Sequence, residues 1–237
     1  MKLPLAYSQQ VESSTAFTFQ RVSLAACILL APLSITLYLV SWEGNQRAPL
    51  TPLITSAMAG PTGNTLHFIG AIAASFFLPL GYLGMSLLGM RRAPWLATIS
   101  AALSLVGWIP WAALMGLDAL AYDINQIGST AQFAALWRHF NGDPVMTIYL
   151  LIYVIGHLVS AVLIGFMLGR LHLVPAWTAW AFALTSPLTI VIILIHNLVL
   201  QDVFKYLLCV LFFIGAIPAA MAMLTHKDLA QPAPPPA

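Results

Sequence analysis

The stretch TIYLLIYVIGHLVSAVLIGFMLG, residues 147–169, decides the fold. It runs for 23 residues without an Asp, Glu, Lys or Arg, and His157 is its one imidazole. As a helix rising 1.5 Å per residue it is about 35 Å long, enough to cross a hydrocarbon core of about 30 Å. It lacks the period-two alternation of a barrel strand, and a backbone in lipid must satisfy its own hydrogen bonds, which a helix does within one segment.

The pattern recurs outward in both directions. Comparable apolar runs occupy residues 22–41, 66–89, 95–117, 176–195 and 203–224. The composition agrees with them, since 60% of the 237 residues are hydrophobic and only 7% charged. The chain therefore reads as an all-α polytopic membrane protein, a bundle of six antiparallel helices with spans two to five as its core. Residues 1–21 read as a cytoplasmic tail, polar and disordered or interfacial through residue 19. Residues 22–226 form the transmembrane domain, and residues 227–237 form a disordered Pro-rich tail that cannot enter the bilayer. The first run ends in Trp42-Glu43-Gly44 and not at a small-residue cleavage site, so it reads as a span rather than a removable signal.

Orientation follows from the nine Lys and Arg residues. With the N-terminus inside, Lys2, Arg21, Arg91, Arg92, Arg170 and Lys227 are cytoplasmic, whereas Arg47, Arg138 and Lys205 lie outside. That distribution favours both termini in the cytoplasm of a cell with the protein in its inner membrane. The net charge of +2 is spread thinly, with no basic run to hold nucleic acid. Cys27 and Cys209 fall at different depths and read as unpaired core residues.

Two very short inner loops, around Arg91-Arg92-Ala93-Pro94 and Arg170–Pro175, make spans two and three neighbours, and likewise spans four and five. Ile69-Gly70 recurs as Ile155-Gly156, and Pro94-Trp95 as Pro175-Ala176-Trp177, a weak echo of a duplicated hairpin. In the second outer loop Phe133, Leu136, Trp137 and Phe140 fall at helical spacing, predicting an amphipathic helix on the outer membrane surface. The first outer loop, 43–64, reads as a segment resting on headgroups or folding over the bundle mouth. Pro79, Pro110, Pro187 and Pro218 lie inside spans and predict kinks.

Ionisable side chains inside a membrane usually face the bundle interior or a wet cavity. Here they are His67, Asp118, His157 and His196, one on each of spans two to five. Each shares a helix face with small or polar residues: His67 with Gly70, Ala74 and Gly81; Asp118 with Ser100, Ser104, Gly107 and Trp111; His157 with Tyr149, Tyr153 and Ser160; His196 with Thr185 and Thr189. Counting from the inner loops puts His67 and Asp118 about 36 Å up their helices, His196 about 32 Å and His157 about 20 Å. The first three then share one layer at the outer mouth, with His157 near the midplane.

Several chemistries suit that layer. Two imidazoles and a carboxylate can hold zinc, two imidazoles can hold a b-type haem, and the same groups can bind a proton or a small polar ligand. As plain helix-end groups they would meet headgroup water instead. Tyr153 and Ser160 stand one turn from His157 and can satisfy its ring nitrogens. No P-loop, HExxH, nucleophile elbow or CxxC pattern occurs in the chain.

From His67-Phe68-Ile69-Gly70 through Pro79–Gly84 to Gly116-Leu117-Asp118, the chain resembles uncharacterised bacterial six-helix integral membrane proteins. The resemblance implies a fold and carries no activity. Six-span cytochrome b-type electron carriers offer a comparison too, but they pair four histidines at two depths. Here His67 and His196 can pair at one depth, and His157 has no partner at its own. The reading reached from the residues is a protein that binds or transports a small molecule through a polar pocket open to the outer side. His67, Asp118 and His196 line its mouth, and His157, Tyr153 and Ser160 its floor. The alternatives are a membrane oxidoreductase or hydrolase with a haem or metal on His67, Asp118 and His196, and a structural subunit that packs against a membrane partner or a second copy.

Overall fold

A computed structural model describes residues 5–41, 61–127, 131–195 and 197–225. Residues 42–60, most of the first outer loop, together with His196 and the Pro-rich tail therefore lie outside the described residues, while the loop's last positions, 61–64, already belong to the helix of span two. Eight helices occur among those described: α1 (Leu5–Val40), α2 (Pro61–Leu88), α3 (Pro94–Trp108), α4 (Trp111–Ile127), α5 (Ala131–Asn141), α6 (Pro144–Arg170), α7 (Ala176–Leu194) and α8 (Leu198–Thr225). Six segments are long and apolar enough to cross a membrane, namely Thr15–Val40, Gly63–Leu88, Pro94–Leu120, Pro144–Arg170, Ala176–Leu194 and Val199–Thr225. The chain is an all-α polytopic membrane protein. Its N-terminal stretch departs from the expected disordered tail, since α1 is already helical at Leu5 and runs unbroken into the first span.

The third span is two helices in series. Pro110 has no N–H to give the carbonyl of Val106, so the hydrogen-bond ladder lapses there. It holds up to Ile109 N–H to Leu105 O at 3.0 Å and restarts with Leu114 N–H to Pro110 O, also at 3.0 Å. Pro79, Pro187 and Pro218 stay inside continuous helices, and so does Pro32 of the first span.

The spans close into a ring in chain order. α1 packs on α2, α2 on α3, α3 on α6, α6 on α7, α7 on α8, and α8 returns to α1. The core accordingly draws on spans one and six as well as two to five: Ile28, Ala31, Phe212 and Ala216 are as buried as Leu78, Ile164 and Phe182. Arg21 helps seal the closing seam, because its guanidinium donates to the carbonyls of Met223 (2.8 Å) and Leu224. Those carbonyls belong to the last turn of α8, where no helical N–H remains to meet them and a positive charge is favoured.

Close backbone approach fixes two sides of the ring. A side chain at Gly70 would strike α1, with its Cβ 2.9 Å from the carbonyl carbon of Leu37. Gly107 of α3 and Gly156 of α6 face each other, and a Cβ on Gly107 would lie 2.5 Å from the Gly156 carbonyl carbon. Small residues at such crossings are how membrane helices gain packing contact where lipid supplies no hydrophobic drive. The two glycines of the echoed Ile-Gly pairs thus perform the same task against different neighbours. Outside, Ile72, Phe76, Val106 and Ile109 are left exposed to lipid, while Trp95 and Trp177 stand out near the arginine-bearing turns, where aromatic anchors belong.

Two polar helix ends are closed by local groups. The Asp143 carboxylate accepts from Val145 N–H at 2.8 Å and, with Pro144 in the first turn, starts α6. Gln201 donates to the Ile195 carbonyl at 2.7 Å, covering the C-terminal end of α7 from the first turn of α8.

The Gly107–Gly156 crossing makes a sharp prediction. Gly156→Ala pushes a methyl group into α3 and is expected to cost about 1–3 kcal/mol through overpacking. Gly116→Ala meets nothing within 4 Å and is expected to be neutral or to gain up to about 1 kcal/mol. Thermal unfolding of the two variants in detergent separates these outcomes.

Candidate functional site

Past the Pro110 break the ring loosens. The main neighbours of α4 are α2, α5 and α6, so toward α7 and α8 the bundle opens into a cavity of about 330 Å³. Its floor is Tyr82, Trp108, His157, Thr185, Ser186 and Phe212; its upper wall includes Ile35, Tyr38, Trp111, Leu114, Asp118, Met146 and Tyr153. Below the floor the bundle is solid, with Met85, Met167 and Phe182 fully buried. The cavity therefore opens away from the Arg91/Arg170 end.

α5 borders the mouth. Its predicted amphipathic face divides: Leu136 and Phe140 remain exposed, whereas Trp137 turns toward the bundle and lines the cavity. The Trp137 indole N–H donates to the Leu117 carbonyl at 3.3 Å, which fixes α5 to α4.

Asp118 meets two partners at one oxygen. The Tyr38 hydroxyl donates to Asp118 Oδ2 at 3.2 Å, and His67 Nε2 lies 3.4 Å from the same atom. His67 Nδ1 lies 2.8 Å from the Tyr38 carbonyl. A carbonyl only accepts, so Nδ1 carries a hydrogen, and a hydrogen bond at Nε2 needs one further proton between ring and carboxyl. The pair is imidazolium beside carboxylate, or imidazole beside carboxylic acid. Either way it is neutral as a unit, which suits its depth in the membrane. The Tyr38 ring also lies over that of His67, with centroids 4.3 Å apart.

Depth counting expected His67 and Asp118 in one layer, and the structure brings them together. It does not place both at the cavity, however. Asp118 lines the wall, while His67, only 4% exposed, stands behind it and is not among the lining residues. His196 lies outside the described residues, so the proposed trio of metal or haem ligands is reduced to its first two members. Among the described residues no three His, Cys, Asp or Glu side chains gather closely enough to hold a metal ion.

His157 lines the floor, 2% exposed. Tyr153 does engage it, but through the backbone: His157 Nδ1–H donates to the Tyr153 carbonyl at 2.5 Å, and the two rings stack at 4.2 Å and 19°. Ser160 does not reach the ring as expected. Its hydroxyl donates to the His157 carbonyl at 3.1 Å, because a buried helical serine finds the carbonyl of the preceding turn first. His157 Nε2 is thus left without a hydrogen-bond partner among the described residues, and so is the neighbouring Trp108 Nε1–H.

Sequence reasoning missed Tyr38, Trp108 and Trp137. Tyr38 was readable in part: Ser34 and Tyr38 stand one turn apart on span one, the face that meets Gly70. That span has no His, Asp or Glu in its membrane-crossing stretch to direct attention to it. An aromatic chain links these residues, from Tyr38 through Trp111 (4.9 Å), Tyr153 (5.5 Å) and His157 (4.2 Å) to Trp108 (5.2 Å).

No protein-family model, no curated protein and no solved structure matches this chain.

The geometry at Asp118 predicts how it responds to substitution. Asp118→Asn presents an NH2 group with two donors, which meets a neutral His67 Nε2 and the Tyr38 oxygen, so its stability is expected to stay within about 1 kcal/mol of wild type. Asp118→Ala leaves both partners stranded and is expected to lose about 1–3 kcal/mol. Thermal or denaturant unfolding in detergent reads the difference.

Proposed function

We propose that this integral membrane protein binds a small, mainly apolar molecule in the cavity between its six spans, as the first step of carrying it or sensing it. One observation carries the reading: a cavity of about 330 Å³ among aromatic and aliphatic side chains, with few polar groups at defined places. Ligand sites of this kind are concave, mostly apolar and fitted with a few convergent polar groups that set orientation. The polar pocket anticipated from the sequence becomes, in this reading, an apolar one with two polar stations, Asp118 near the mouth and His157 at the floor.

The Lys and Arg distribution supports an orientation with both termini in the cytoplasm, which turns the mouth outward. The resemblance to bacterial proteins suits a bacterial inner membrane. The packing of Tyr82 and Phe212 of the floor against Phe182 beneath it, with ring centroids 5.2 to 6.1 Å apart, supports a state closed to the other side. Transport would then require those rings to part, with the proline-containing helices α2, α7 and α8 as the elements that yield.

Binding of small aromatic molecules is the test, because Trp108, Trp111 and Trp137 all line the cavity and report on an occupant. Protein in lipid nanodiscs is expected to show saturable tryptophan quenching at about one molecule per chain, beyond the partition into empty nanodiscs. Leu114→Trp, which fills the wall, is expected to weaken that binding about tenfold or more while leaving the fold intact. Quenching that only tracks the lipid partition, unchanged by Leu114→Trp, would refute the reading.

A further inference from the structure

Two nitrogens of complementary chemistry are buried among the side chains that form the cavity floor. His157 Nδ1–H is committed to the Tyr153 carbonyl, so in the neutral ring Nε2 bears a lone pair and needs a donor. The Trp108 indole nitrogen can only donate and needs an acceptor. Neither has a partner among the described residues, both residues line the cavity, and their rings lie 5.2 Å apart. Neighbouring hydroxyls do not fill the gap, because Thr185 and Thr189 donate to the carbonyls of Phe182 and Ser186, and Tyr82 pairs with Ser186.

We infer that the floor recognises a hydroxyl group carried on an apolar aromatic ring. A hydroxyl is the smallest group that donates and accepts at once. It gives its hydrogen to His157 Nε2 and takes one from Trp108 Nε1. A ketone or ether would leave His157 unmet, and an ammonium group would leave Trp108 unmet. The ring follows from the walls: Trp111, Tyr153, Tyr82 and Phe212 surround the same space and favour edge or offset contact with another aromatic system. A carboxylate is disfavoured, since it brings a charge to a floor with no cation and shares the cavity with Asp118. This inference rests on the proposed role of the cavity as a ligand site and adds the chemical class of the ligand.

A matched pair of probes tests it: 2-naphthol and naphthalene, which differ by one hydroxyl, titrated into the intact 237-residue chain in nanodiscs. Affinities are taken after correction for each probe's partition into empty nanodiscs. The wild type is expected to hold 2-naphthol about tenfold or more tightly than naphthalene, because an unmet buried donor or acceptor penalises the analogue that lacks the group. Trp108→Phe and His157→Phe keep a ring in place and remove the nitrogen, and each is expected to bring the two probes close to equal affinity. Their melting temperatures show that the fold survives. Equal binding of both probes by the wild type would overturn the hydroxyl inference and leave the apolar ligand site standing. Discrimination that persists in both variants would overturn it too. Binding of neither probe would remove the ligand site itself.

Discussion

A carboxyl group inside a hydrocarbon slab must find its hydrogen bonds in its own protein, and at Asp118 that requirement binds three spans together. The side chain leaves span three beyond the Pro110 break and meets the Tyr38 hydroxyl of span one and the His67 ring of span two at a single oxygen. Because His67 is in turn held by the Tyr38 carbonyl, the three residues form a closed triangle. Breaking any side strands at least one buried polar atom, and the penalty for an unmet group exceeds the net gain of a met one. Span one, which has no His, Asp or Glu in its membrane-crossing stretch, is thus tied into the bundle by a tyrosine and by a glycine crossing at the same level. The backbone of Tyr38 lies against Gly70, one turn from His67.

The cavity is a consequence of where the close crossings stop. Gly107 and Gly156 bring α3 and α6 into backbone contact, and Arg21 fastens α1 to the end of α8. Past Pro110 the main neighbours of α4 are α2, α5 and α6. Space left on the α7 and α8 side is partly closed by Trp137 from α5. One residue without an N–H therefore separates a densely packed half from an open one, and the open half holds the groups with chemistry to offer.

How much of this could be read in the sequence depends on the range of the physics. Spans follow from local hydropathy, and their existence and number were legible, with ends within a few residues except at the N-terminus. Residues Leu5 to Val40 form one helix although the first of them are polar, because helix propagation needs no apolar face once the span behind it is formed. The sharing of one layer by His67 and Asp118 was legible as well, since equal distances from the one short turn that joins their spans fix equal depths. Which side of Asp118 faces the cavity was not, since that depends on the rotation of three helices about their axes. The same limit hid Tyr38. Ser160 shows a further one: helical spacing put it beside His157, but the choice between a ring nitrogen and a backbone carbonyl is decided by side-chain length, and serine is too short for the ring. The closure of the ring through α1 and α8 has no sequence signal apart from the small residues that permit it.

The two polar stations of the cavity differ in kind. At Asp118 every visible requirement is met within the protein: the carboxyl has its donors, and the His67 ring has an acceptor and a proton-sharing partner. Such a site holds its geometry with nothing bound, and it can hold the helices of the mouth at a fixed spacing. At the floor the protein stops short. His157 is oriented by stacking on Tyr153 and by one strong hydrogen bond, yet its second nitrogen and the Trp108 N–H meet no partner among the described residues. Each such gap costs on the order of 1–3 kcal/mol, and two of them side by side are hard to reconcile with packing alone. Phenylalanine at both positions would fill similar space and leave nothing unmet. A floor that keeps an oriented acceptor next to a donor, at the end of an aromatic cavity, is organised around something that supplies the missing half. In the proposed ligand site, then, the residues at the mouth supply stability and those at the floor supply selection.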